Sequence, residues 1–401
     1  MITWIPFAVF IGFLSLMGMF SFLDYRKKRE ITKKYFISFI IPCYNCSETI
    51  GDTIKGIFDS YEKGNFELFV INDNSTDDSL EKIKNLRKIY DFNIINNKEN
   101  LGKASSINNT FEKTKGEIIF IVDADTIIAK IGVDDIIARF NYNEKVAAVS
   151  CPPSIKRNGF LPSMLAIEYN ITNFIGFSHN IYSTIGLWGC CLAVKREVLN
   201  QVGLFSQNVL SEDADLAMKI NKAGWKVEMS RFYVETEVPG KFKPWFKQKI
   251  RWNAGVIQHL LKHKKTLLQN PITLMVFTIH IIIFLYLLTN LPNLFNFYYS
   301  VFQLFYFLTK YTGLGIINSI IFTTKTYESQ FITMFFYQTF FIAMNFPYTV
   351  FLIKKLKDIK KILLVIPFTL IYGPLMYFTF IISSFKGVKA YLDLKNTQRA
   401  W

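Results

Sequence analysis

The chain has 401 residues, of which 51% are hydrophobic and 19% are charged, and its formal net charge is +15. This composition excludes wholesale disorder, a collagen-like chain and a disulfide-rich scaffold, and it is too apolar for a purely soluble protein. Residues 35–240 hold 21 basic against 26 acidic residues, and the remainder holds 25 against 5. The positive charge therefore lies beside hydrophobic runs, which is typical of cytoplasmic membrane flanks and argues against nucleic acid as a partner.

The first predicted element is a membrane anchor. No charged side chain occurs from Met1 to Leu23, and the basic run Arg26–Arg29 follows at once. The stretch is long enough to span a bilayer, and a secretory signal would carry its positive charge before the apolar run. We therefore predict an uncleaved transmembrane segment at residues 1–24 of a multi-pass protein of the plasma membrane, with the chain after it in the cytoplasm.

Strand-like and helix-like runs alternate through residues 35–240, which predicts a cytoplasmic α/β domain with a mostly parallel sheet. Near-continuous apolar runs that end in polar residues are typical of buried parallel strands. The predicted strands are Phe36–Pro42, Phe66–Asp73 and Glu117–Asp125. The predicted helices that follow them are Glu48–Tyr61, Asp77–Tyr90 and Val133–Tyr142.

Polar residues stand where these strands end. Tyr44 and Asn45 follow the first, Asp73 closes the second, and Asp123 and Asp125 close the third. Ligands of open parallel sheets bind at the carboxyl ends of strands. Two carboxylates on alternate residues can hold a hard divalent cation, which in turn neutralises a diphosphate. We therefore expect Mg²⁺ or Mn²⁺ at Asp125 and Asp123.

The remaining predicted elements belong to the membrane side of the molecule. Residues 241–265 hold eight basic and no acidic residues between apolar ones, which predicts an amphipathic helix in the membrane interface. Residues 266–385 hold charge-free stretches for three or four spans of about 20 residues each. Whether Leu291–Thr309 forms one of them stays open. A basic tail, residues 386–401, closes the chain.

Six short motifs occur in order along the α/β region and the basic segment. They are IPCYN at 41–45, VINDNSTDDS at 70–79, NLGKASSIN at 100–108, VDAD at 122–125, LSEDADLAMKINKAGW at 210–225 and QKIRW at 248–252. In these motifs the chain resembles the family-2 glycosyltransferases, and within them the membrane-embedded synthases of cellulose, hyaluronan, chitin and poly-N-acetylglucosamine. The resemblance implies a GT-A-like domain flanked by transmembrane helices.

The resemblance also implies roles for individual residues. Asp73 would bind the nucleotide base, and Asp213, in the E-D motif, would be the general base. The nucleotide-sugar-binding residues that it implies are Tyr44, Asn45, Asp73, Lys103, Asp123, Gln248, Arg251 and Trp252. The acceptor-proximal residues that it implies are Trp188, Gly189, Cys190, Glu212 and Trp252. The chain departs from the family in reading Asn72-Asp73-Asn74 where Asp-Asp-Gly is common, and in placing Ser211 where Thr is frequent.

Each of these residues also has a purely structural interpretation. Asp213 could be an acidic first-turn residue of a helix that Ser211 caps. Trp252 could be an interface anchor and Arg251 a partner of lipid phosphates. Residues 188–190 could form a tight turn that leads into a strand. The joint occurrence of the motifs favours the catalytic interpretation of Asp213.

The predicted chemistry is transfer of a sugar from a nucleotide sugar, most simply a UDP-sugar, to a hydroxyl group, with inversion at the anomeric carbon. One carboxylate suffices to take the acceptor proton, and a cation with Arg or Lys donors stabilises the leaving diphosphate. The product could be a polysaccharide. The alternatives are transfer of a single sugar to a lipid, as in ceramide glucosyltransferases, and a non-catalytic membrane protein that binds nucleotide sugars.

The cysteines and histidines suggest no further site. Five cysteines without zinc-finger spacing fit a reducing compartment, and Cys43 and Cys46 are interpreted as small buried side chains rather than a metal or redox pair. The four histidines show no ligand cluster. His259 and His263, one helical turn apart, are expected on an interfacial polar face.

Overall fold

The computed structural model describes residues 5–61, 65–184, 186–269, 364 and 367–399. The chain divides into two compact units, one with residues 17–270 and 370–401 and the other with residues 1–16 and 271–369. The first unit contains both sheets and the candidate site. Of the second unit, the structure describes residues 5–16, 364 and 367–369.

The described residues contain eleven α-helices. They are α1 (Ile5–Tyr25), α2 (Ile50–Ser60), α3 (Ser79–Arg87), α4 (Lys103–Phe111), α5 (Lys130–Tyr142), α6 (Phe160–His179), α7 (Arg196–Val202), α8 (Glu212–Lys222), α9 (Phe242–Lys262), α10 (Lys264–Gln269) and α11 (Gly373–Arg399). A π-helical turn, Phe368–Tyr372, precedes α11. The predicted helices at 48–61, 77–90 and 133–142 are confirmed as α2, α3 and α5, with ends shifted by at most three residues.

The main sheet has seven strands in the order β3-β2-β1-β4-β8-β6-β9. They are β1 (Ile37–Cys43), β2 (Phe66–Asn72), β3 (Asn93–Asn96), β4 (Ile118–Val122), β6 (Val146–Ser150), β8 (Cys191–Lys195) and β9 (Lys226–Met229). Strands β3, β2, β1 and β4 run parallel, and β8 lies antiparallel between β4 and β6. The prediction of a mostly parallel α/β sheet is therefore confirmed.

A smaller sheet lies beside the carboxyl end of β4. It has the order β5-β10-β7, with β5 (Thr126–Ile127), β7 (Pro153–Ile155) and β10 (Val234–Thr236). Thr236 of β10 pairs with Thr126 of β5, directly after the D-x-D motif. The small sheet therefore fixes the backbone on which Asp125 stands.

Successive residues of the central strands are buried on opposite faces of the main sheet. Phe39 belongs to the apolar cluster with Ile54 of α2 and Ile136 of α5. The next residue, Ile40, belongs to a second cluster, with Ile107 of α4. Because side chains alternate along a strand, a strand covered on both faces must be apolar throughout, and the sequence of β1 is.

The end of α1 is held in the first unit by buried charges. Asp24 is fully buried and pairs with Arg29, with Arg231 at 3.2 Å and with Arg139 at 3.9 Å. Asn180 also donates a hydrogen bond to Asp24 at 3.1 Å. Arg29 belongs to the basic run that follows the predicted anchor, yet its side chain is only 7% exposed. Each buried charge here has an opposite partner, which compensates its loss of hydration.

Helix α9 packs closely between α8 and α11 at two glycines. A Cβ atom on Gly255 would stand 2.3 Å from Ser211 Oγ, and one on Gly387 would stand 2.6 Å from the carbonyl oxygen of Ala254. Both positions therefore require glycine for a close helix approach. Through these contacts the QKIRW segment of α9 is fixed against the helix that carries Asp213.

The membrane predictions concern mostly other parts of the chain. In the described residues, no helix is long and apolar enough to cross a membrane. The predicted spans within residues 270–363 lie outside the described residues. The predicted segment at 362–385 overlaps the π-helical turn and the first half of α11, and the basic segment 241–265 corresponds to α9 and the start of α10.

Candidate active site

A polar cavity of about 870 Å³ opens at the carboxyl ends of β1 and β4. Asp123 and Asp125 line one part of it, and Tyr44 and Asn45 line another. These four side chains were predicted from separate strand ends, and the parallel register of β1 and β4 brings them together. The cavity therefore lies at the carboxyl ends of these strands, where the sequence analysis expected a ligand to bind.

The loop after β1 has a fixed and unusual backbone conformation. Asn45 has φ 52°, in the left-handed region, and its Oδ1 accepts a hydrogen bond from Thr76 N at 2.8 Å. Its own backbone N–H donates to Ser75 Oγ at 3.1 Å. These bonds hold Asn45 beside Tyr44, whose side chain is 52% exposed. An exposed ring on a fixed loop is suited to stacking on a nucleotide base.

A disulfide bond closes this loop. Cys43 and Cys46 are joined, with their Cα atoms 6.0 Å apart, on either side of Tyr44 and Asn45. Cys43 is buried as predicted, but the prediction that the two cysteines form no redox pair was wrong. Cys43 ends β1 and Cys46 lies three residues later in a turn, which is the separation that lets the two sulfur atoms meet.

Asp73 does not line the polar cavity. Its carboxylate is buried and accepts four hydrogen bonds from the segment after β3, from Asn97 Nδ2, Leu101 N, Gly102 N and Ser106 Oγ, at 2.7–3.0 Å. Burial alone would raise the pKa of Asp73, but these bonds outweigh it and hold the pKa below its usual value. Asp73 thus fixes the loop that presents Lys103.

Lys103 joins three parts of the site. Its Nζ lies 2.5 Å from Asp123 Oδ1 and 3.7 Å from Glu212 Oε1, and it donates a hydrogen bond to the Gly189 carbonyl at 2.9 Å. Burial would lower the pKa of this amine, but Asp123 and Glu212 outweigh it and raise the pKa. Lys103 therefore remains a cation between two acidic motifs that are 89 residues apart in sequence.

Asp125 is suited to hold a divalent cation. Burial, followed by the neighbouring charge of Asp123, raises its pKa to about 6. Thr126 Oγ1 donates to its carboxylate at 3.2 Å and Thr236 Oγ1 at 3.4 Å. Asp123 and Asp125 repel one another beside an open cavity. A bound Mg²⁺ or Mn²⁺ would neutralise both carboxylates, since these hard cations prefer oxygen ligands.

Asp213 stands in the first turn of α8, against the chain at Gly189. A Cβ atom on Gly189 would lie 2.5 Å from Asp213 Oδ2. Burial, followed by the charge of Glu212, raises the pKa of Asp213 to about 6. Ser211 occupies the N-cap position, but its side chain makes no capping hydrogen bond. The purely structural interpretation of this turn required that bond. A carboxyl group with this pKa can accept a proton near neutral pH.

The chain at residues 188–190 lies next to the D-x-D motif. The Cys190 carbonyl accepts a hydrogen bond from Asp123 N at 2.8 Å, and the Gly189 carbonyl accepts the bond from Lys103. Trp188 lies 6.4 Å from Trp252 and 5.0 Å from Tyr169 of α6, measured between ring centroids. The fold therefore brings the predicted acceptor-proximal residues, the E-D motif and the QKIRW tryptophan to one side of the site.

The other two residues of the QKIRW motif have different surroundings. Arg251 is exposed, with one long hydrogen bond of 3.5 Å to the Leu210 carbonyl. Gln248 has a buried Oε1 atom that accepts no hydrogen bond in the described part of the structure. Neither side chain lines the polar cavity. The Arg251 guanidinium is thus accessible to a ligand, and the Oε1 atom of Gln248 is an acceptor without a donor among the described residues.

The sequence reasoning missed two cations of the polar cavity. Lys156 and Arg157, directly after β7, both line it together with Asp125 and Glu237. Lys156 Nζ lies 3.4 Å from Asp52 Oδ2 across the opening. Cations facing a pair of carboxylates suit a ligand that carries both negative charge and a metal ion. Two basic residues after a short strand give no sequence signal, because only the small sheet directs them to β4.

Two histidines expected at a membrane interface are buried. His259 is 4% and His263 is 9% exposed, and His263 Nε2 lies 2.7 Å from Asp215 Oδ1. The three side chains are close enough to share a metal ion, and the burial of both histidines shows that their predicted place on an interfacial polar face was wrong. Lys262 Nζ, at 2.6 Å, already holds the same carboxylate oxygen. We therefore interpret the cluster as a buried ion pair between α8 and α9.

Comparison with known families and proteins agrees with this geometry. Residues 38–203 match the model of the family described as "Glycosyl transferase family 2". The matched region runs from β1 to the end of α7 and includes Asp73, Lys103, Asp123 and Asp125. Asp213 and the QKIRW motif follow it.

Curated relatives extend the likeness beyond that region. Poly-beta-1,6-N-acetyl-D-glucosamine synthase of Staphylococcus epidermidis is 30% identical over 230 residues, which are 56% of this chain and 56% of the relative. The enzyme of the same name from Staphylococcus aureus is 28% identical over 231 residues, with the same two shares. The chain thus spans little more than half the length of the curated relatives it matches.

Among solved structures, a mannosyltransferase from Pyrobaculum calidifontis, in complex with GDP-mannose and Mn²⁺, has a similar fold. The TM-score is 0.55 at 18% sequence identity, and the match covers 84% of this chain and 96% of the other. At this identity the likeness concerns the fold, which the two proteins share over most of their length.

Proposed function

We propose, from the family-2 glycosyltransferase domain that residues 38–203 form, that this protein transfers a sugar from a nucleotide sugar to a hydroxyl acceptor. The observation that carries the proposal is the position of Asp213, whose carboxylate lies against Gly189 while Lys103 links Gly189 to Asp123. A proton acceptor and the D-x-D motif are thus separated by one lysine side chain.

In the proposed reaction, Asp213 takes the proton of the acceptor hydroxyl as its oxygen attacks the anomeric carbon. The bond between that carbon and the diphosphate oxygen breaks, and the nucleoside diphosphate leaves with the electron pair. Attack from the side opposite the leaving group inverts the anomeric centre. This course needs one carboxylate to act as the base, whereas a retaining mechanism requires a nucleophile as well.

The other residues bind and orient. Tyr44 and Asn45 would hold the base, and Lys156 and Arg157 would face the diphosphate. A divalent cation at Asp125 and Asp123, when bound, would neutralise negative charge on the leaving diphosphate. Lys103 keeps Asp123 in place and compensates its charge.

We further propose a UDP-sugar donor and a polysaccharide product of the kind that the relatives' name describes, poly-β-1,6-N-acetylglucosamine. The support is the 30% identity to such a synthase, which extends beyond the family domain. The purified protein in detergent, given UDP- and GDP-sugars with Mn²⁺ or Mg²⁺, should release UDP and form a polymer. Asp213→Asn should abolish the release, and Asp59→Asn, at an exposed aspartate of α2, should not.

Transfer of one sugar to a lipid acceptor is the second candidate, and a second cavity favours it. This apolar cavity, of about 570 Å³, is lined by Phe160, Phe242, Trp245 and Leu375, with Arg157 and Lys241 among its basic residues. A hydrocarbon chain with an anionic head would match both kinds of lining. A glycolipid heavier by one sugar, rather than a ladder of polymer lengths, would identify this activity.

The proposed place of action is the cytoplasmic side of the plasma membrane. Its support is the charge-free sequence at residues 1–23 and the exposed basic residues of the α9 segment, Lys241, Lys243, Lys247 and Arg251. The protein should stay in the membrane fraction after alkaline carbonate washing. Release into the wash would contradict a membrane-spanning arrangement.

A further inference from the structure

Lys249, in the middle of the QKIRW motif, is a buried cation. Its side chain is 1% exposed, and its Nζ lies 2.6 Å from Glu168 Oε1 of α6. Burial lowers its pKa, while Glu168 acts in the opposite direction. A buried ammonium costs free energy unless partners replace its hydration. The other groups near the Lys249 ammonium therefore indicate why this side chain is buried.

Two aromatic rings supply the remaining contacts of this ammonium. Lys249 Nζ lies 4.7 Å from the ring centroid of Trp252 and 5.5 Å from that of Tyr169. A cation over an aromatic face is attracted by the ring quadrupole, more strongly where water is excluded. Trp252, one helical turn further along α9, is only half-buried. The buried cation thus contacts the ring of a tryptophan that remains partly accessible.

Glu168 is in turn fixed by a second set of bonds. Tyr372 Oη, in the turn before α11, donates a hydrogen bond to Glu168 Oε2 at 2.5 Å. Trp245 Nε1 donates to Tyr372 Oη at 3.0 Å. Both carboxylate oxygens of Glu168 are therefore engaged, one by α9 and one by the segment before α11. This arrangement leaves the Glu168 carboxylate little freedom to follow Lys249 if the lysine moves.

We propose that Lys249 is a positioning residue that fixes Trp252 as the platform for the acceptor sugar, with Trp188 and Tyr169 completing the aromatic surface. The inference rests on the proposed function and assigns a role to a residue that the sequence analysis left without one. Trp188 and Trp252 lie at an interplanar angle of 74°, so the two rings form a corner rather than a continuous stack. A sugar can pack with its ring face against one of the two tryptophan rings and with its edge against the other.

A direct contact of Lys249 with the diphosphate does not fit its surroundings. Its ammonium is 1% exposed and is enclosed by Glu168 and two aromatic rings. Arg251, two residues later, is exposed and makes one long hydrogen bond. The two cations of the motif therefore differ in their surroundings. Arg251 is accessible to a ligand, whereas Lys249 contacts side chains of the protein.

The test compares four variants of the full-length protein in detergent. They are Lys249→Met, Lys249→Arg, the double variant Lys249→Met with Glu168→Gln, and Lys222→Met as a control at an exposed lysine of α8. The donor is UDP-N-acetylglucosamine, and the acceptor is a β-1,6-linked N-acetylglucosamine oligosaccharide. The measurements are KM for the acceptor, KM for the donor, the rate of UDP release without acceptor, and acceptor binding by tryptophan fluorescence.

The double variant separates positioning from stability. Removing Lys249 alone leaves the half-buried Glu168 without its cation and is expected to lower stability, whereas removing both charges should restore stability. We expect KM for the acceptor to rise about tenfold in Lys249→Met and equally in the double variant, given the usual strength of a desolvated cation–π contact. KM for the donor and UDP release without acceptor should be unchanged. Lys249→Arg should recover most of the acceptor affinity, and Lys222→Met should resemble the wild type.

An acceptor KM that returns to the wild-type value in the double variant would overturn the inference, since a merely structural ion pair would behave in this way. A rise in the donor KM instead of the acceptor KM would also overturn it. If the wild type binds the oligosaccharide but transfers no sugar, the proposed function fails, while the binding affinities of the variants still decide the role of Lys249. A wild type that does not bind the oligosaccharide overturns the inference.

Discussion

The carboxylate of Asp213 packs against the backbone of Gly189, and a Cβ atom at position 189 would stand 2.5 Å from Asp213 Oδ2. Gly189 also provides the carbonyl that receives the hydrogen bond of Lys103. The contact joins the chain before β8 to the first turn of α8. Any side chain at position 189 must therefore move the group that we propose as the base.

Gly189→Ala is expected to lower kcat about 100-fold with little change in stability, because a displacement of about 1 Å at a reacting group has an effect of this size. The measurement is the steady-state rate of UDP release with acceptor, alongside thermal unfolding. Gly186→Ala is the matched control, since a Cβ atom there has nothing within 4 Å. Equal rates in the two variants would show that Asp213 does not belong to the reacting centre.

The pH dependence of kcat should report the Asp213 carboxyl group. Its pKa is raised to about 6, first by burial and then by Glu212. A base must be deprotonated to act, so kcat at saturating cation should rise with pH through about 6 and level off above it. Lys103 holds this pKa down, so Lys103→Met should shift the acid limb to higher pH. A limb that stays in place would show that another group is titrating.

Cation binding should depend on pH through Asp125. Its pKa is raised to about 6 by burial and by Asp123, so protons compete with the cation below that pH. We expect Mn²⁺ affinity, measured by isothermal titration without nucleotide, to fall about tenfold per pH unit below 6. Asp125→Asn should abolish binding, whereas Asp78→Asn, at an exposed aspartate, should not. Undiminished binding in Asp125→Asn would place the cation elsewhere.

Asp73 should stabilise the fold at neutral pH and lose this contribution as the pH falls. Its pKa is lowered, because four hydrogen bonds outweigh the effect of burial. A carboxyl group with a lowered pKa stabilises the fold above its unfolded pKa of about 4, and this stabilisation is lost as pH falls through the folded value. Asp73→Asn should therefore cost about 1–3 kcal/mol at pH 7, since the amide leaves a buried donor unpaired.

The difference between Asp73→Asn and the wild type should shrink as the pH falls below about 4, where the unfolded chain takes up the proton, and it should be lost once the pH is below the lowered pKa of the folded carboxyl group. Chemical unfolding at several pH values measures it, with Asp78→Asn as the control because Asp78 makes no side-chain capping bond. A difference that is the same at pH 3 and pH 7 would mean that the charge of Asp73 contributes nothing.

The sequence predicted the strands and helices of the α/β unit well because their signals are local. Strands β1, β2 and β4 are continuous apolar runs, which any sheet covered on both faces requires, and the helices between them have regular apolar spacing. Tyr44, Asn45, Asp123 and Asp125 were found because polar residues at the ends of parallel strands must converge. The charge distribution likewise separated the acidic α/β unit from the basic segments beside it.

Only the tertiary structure decided which partners these residues meet. The hydrogen bonds that Asp73 receives come from residues 24 to 33 positions away, and Lys156 reaches the polar cavity only because β7 pairs with β10. The burial of His259 depends on α8, and that of Lys249 on Glu168, 81 residues earlier. Local sequence reports periodicity and residue chemistry. The charge and hydrogen-bond partners of a buried polar group are set by contacts between distant segments, which no short window of sequence contains.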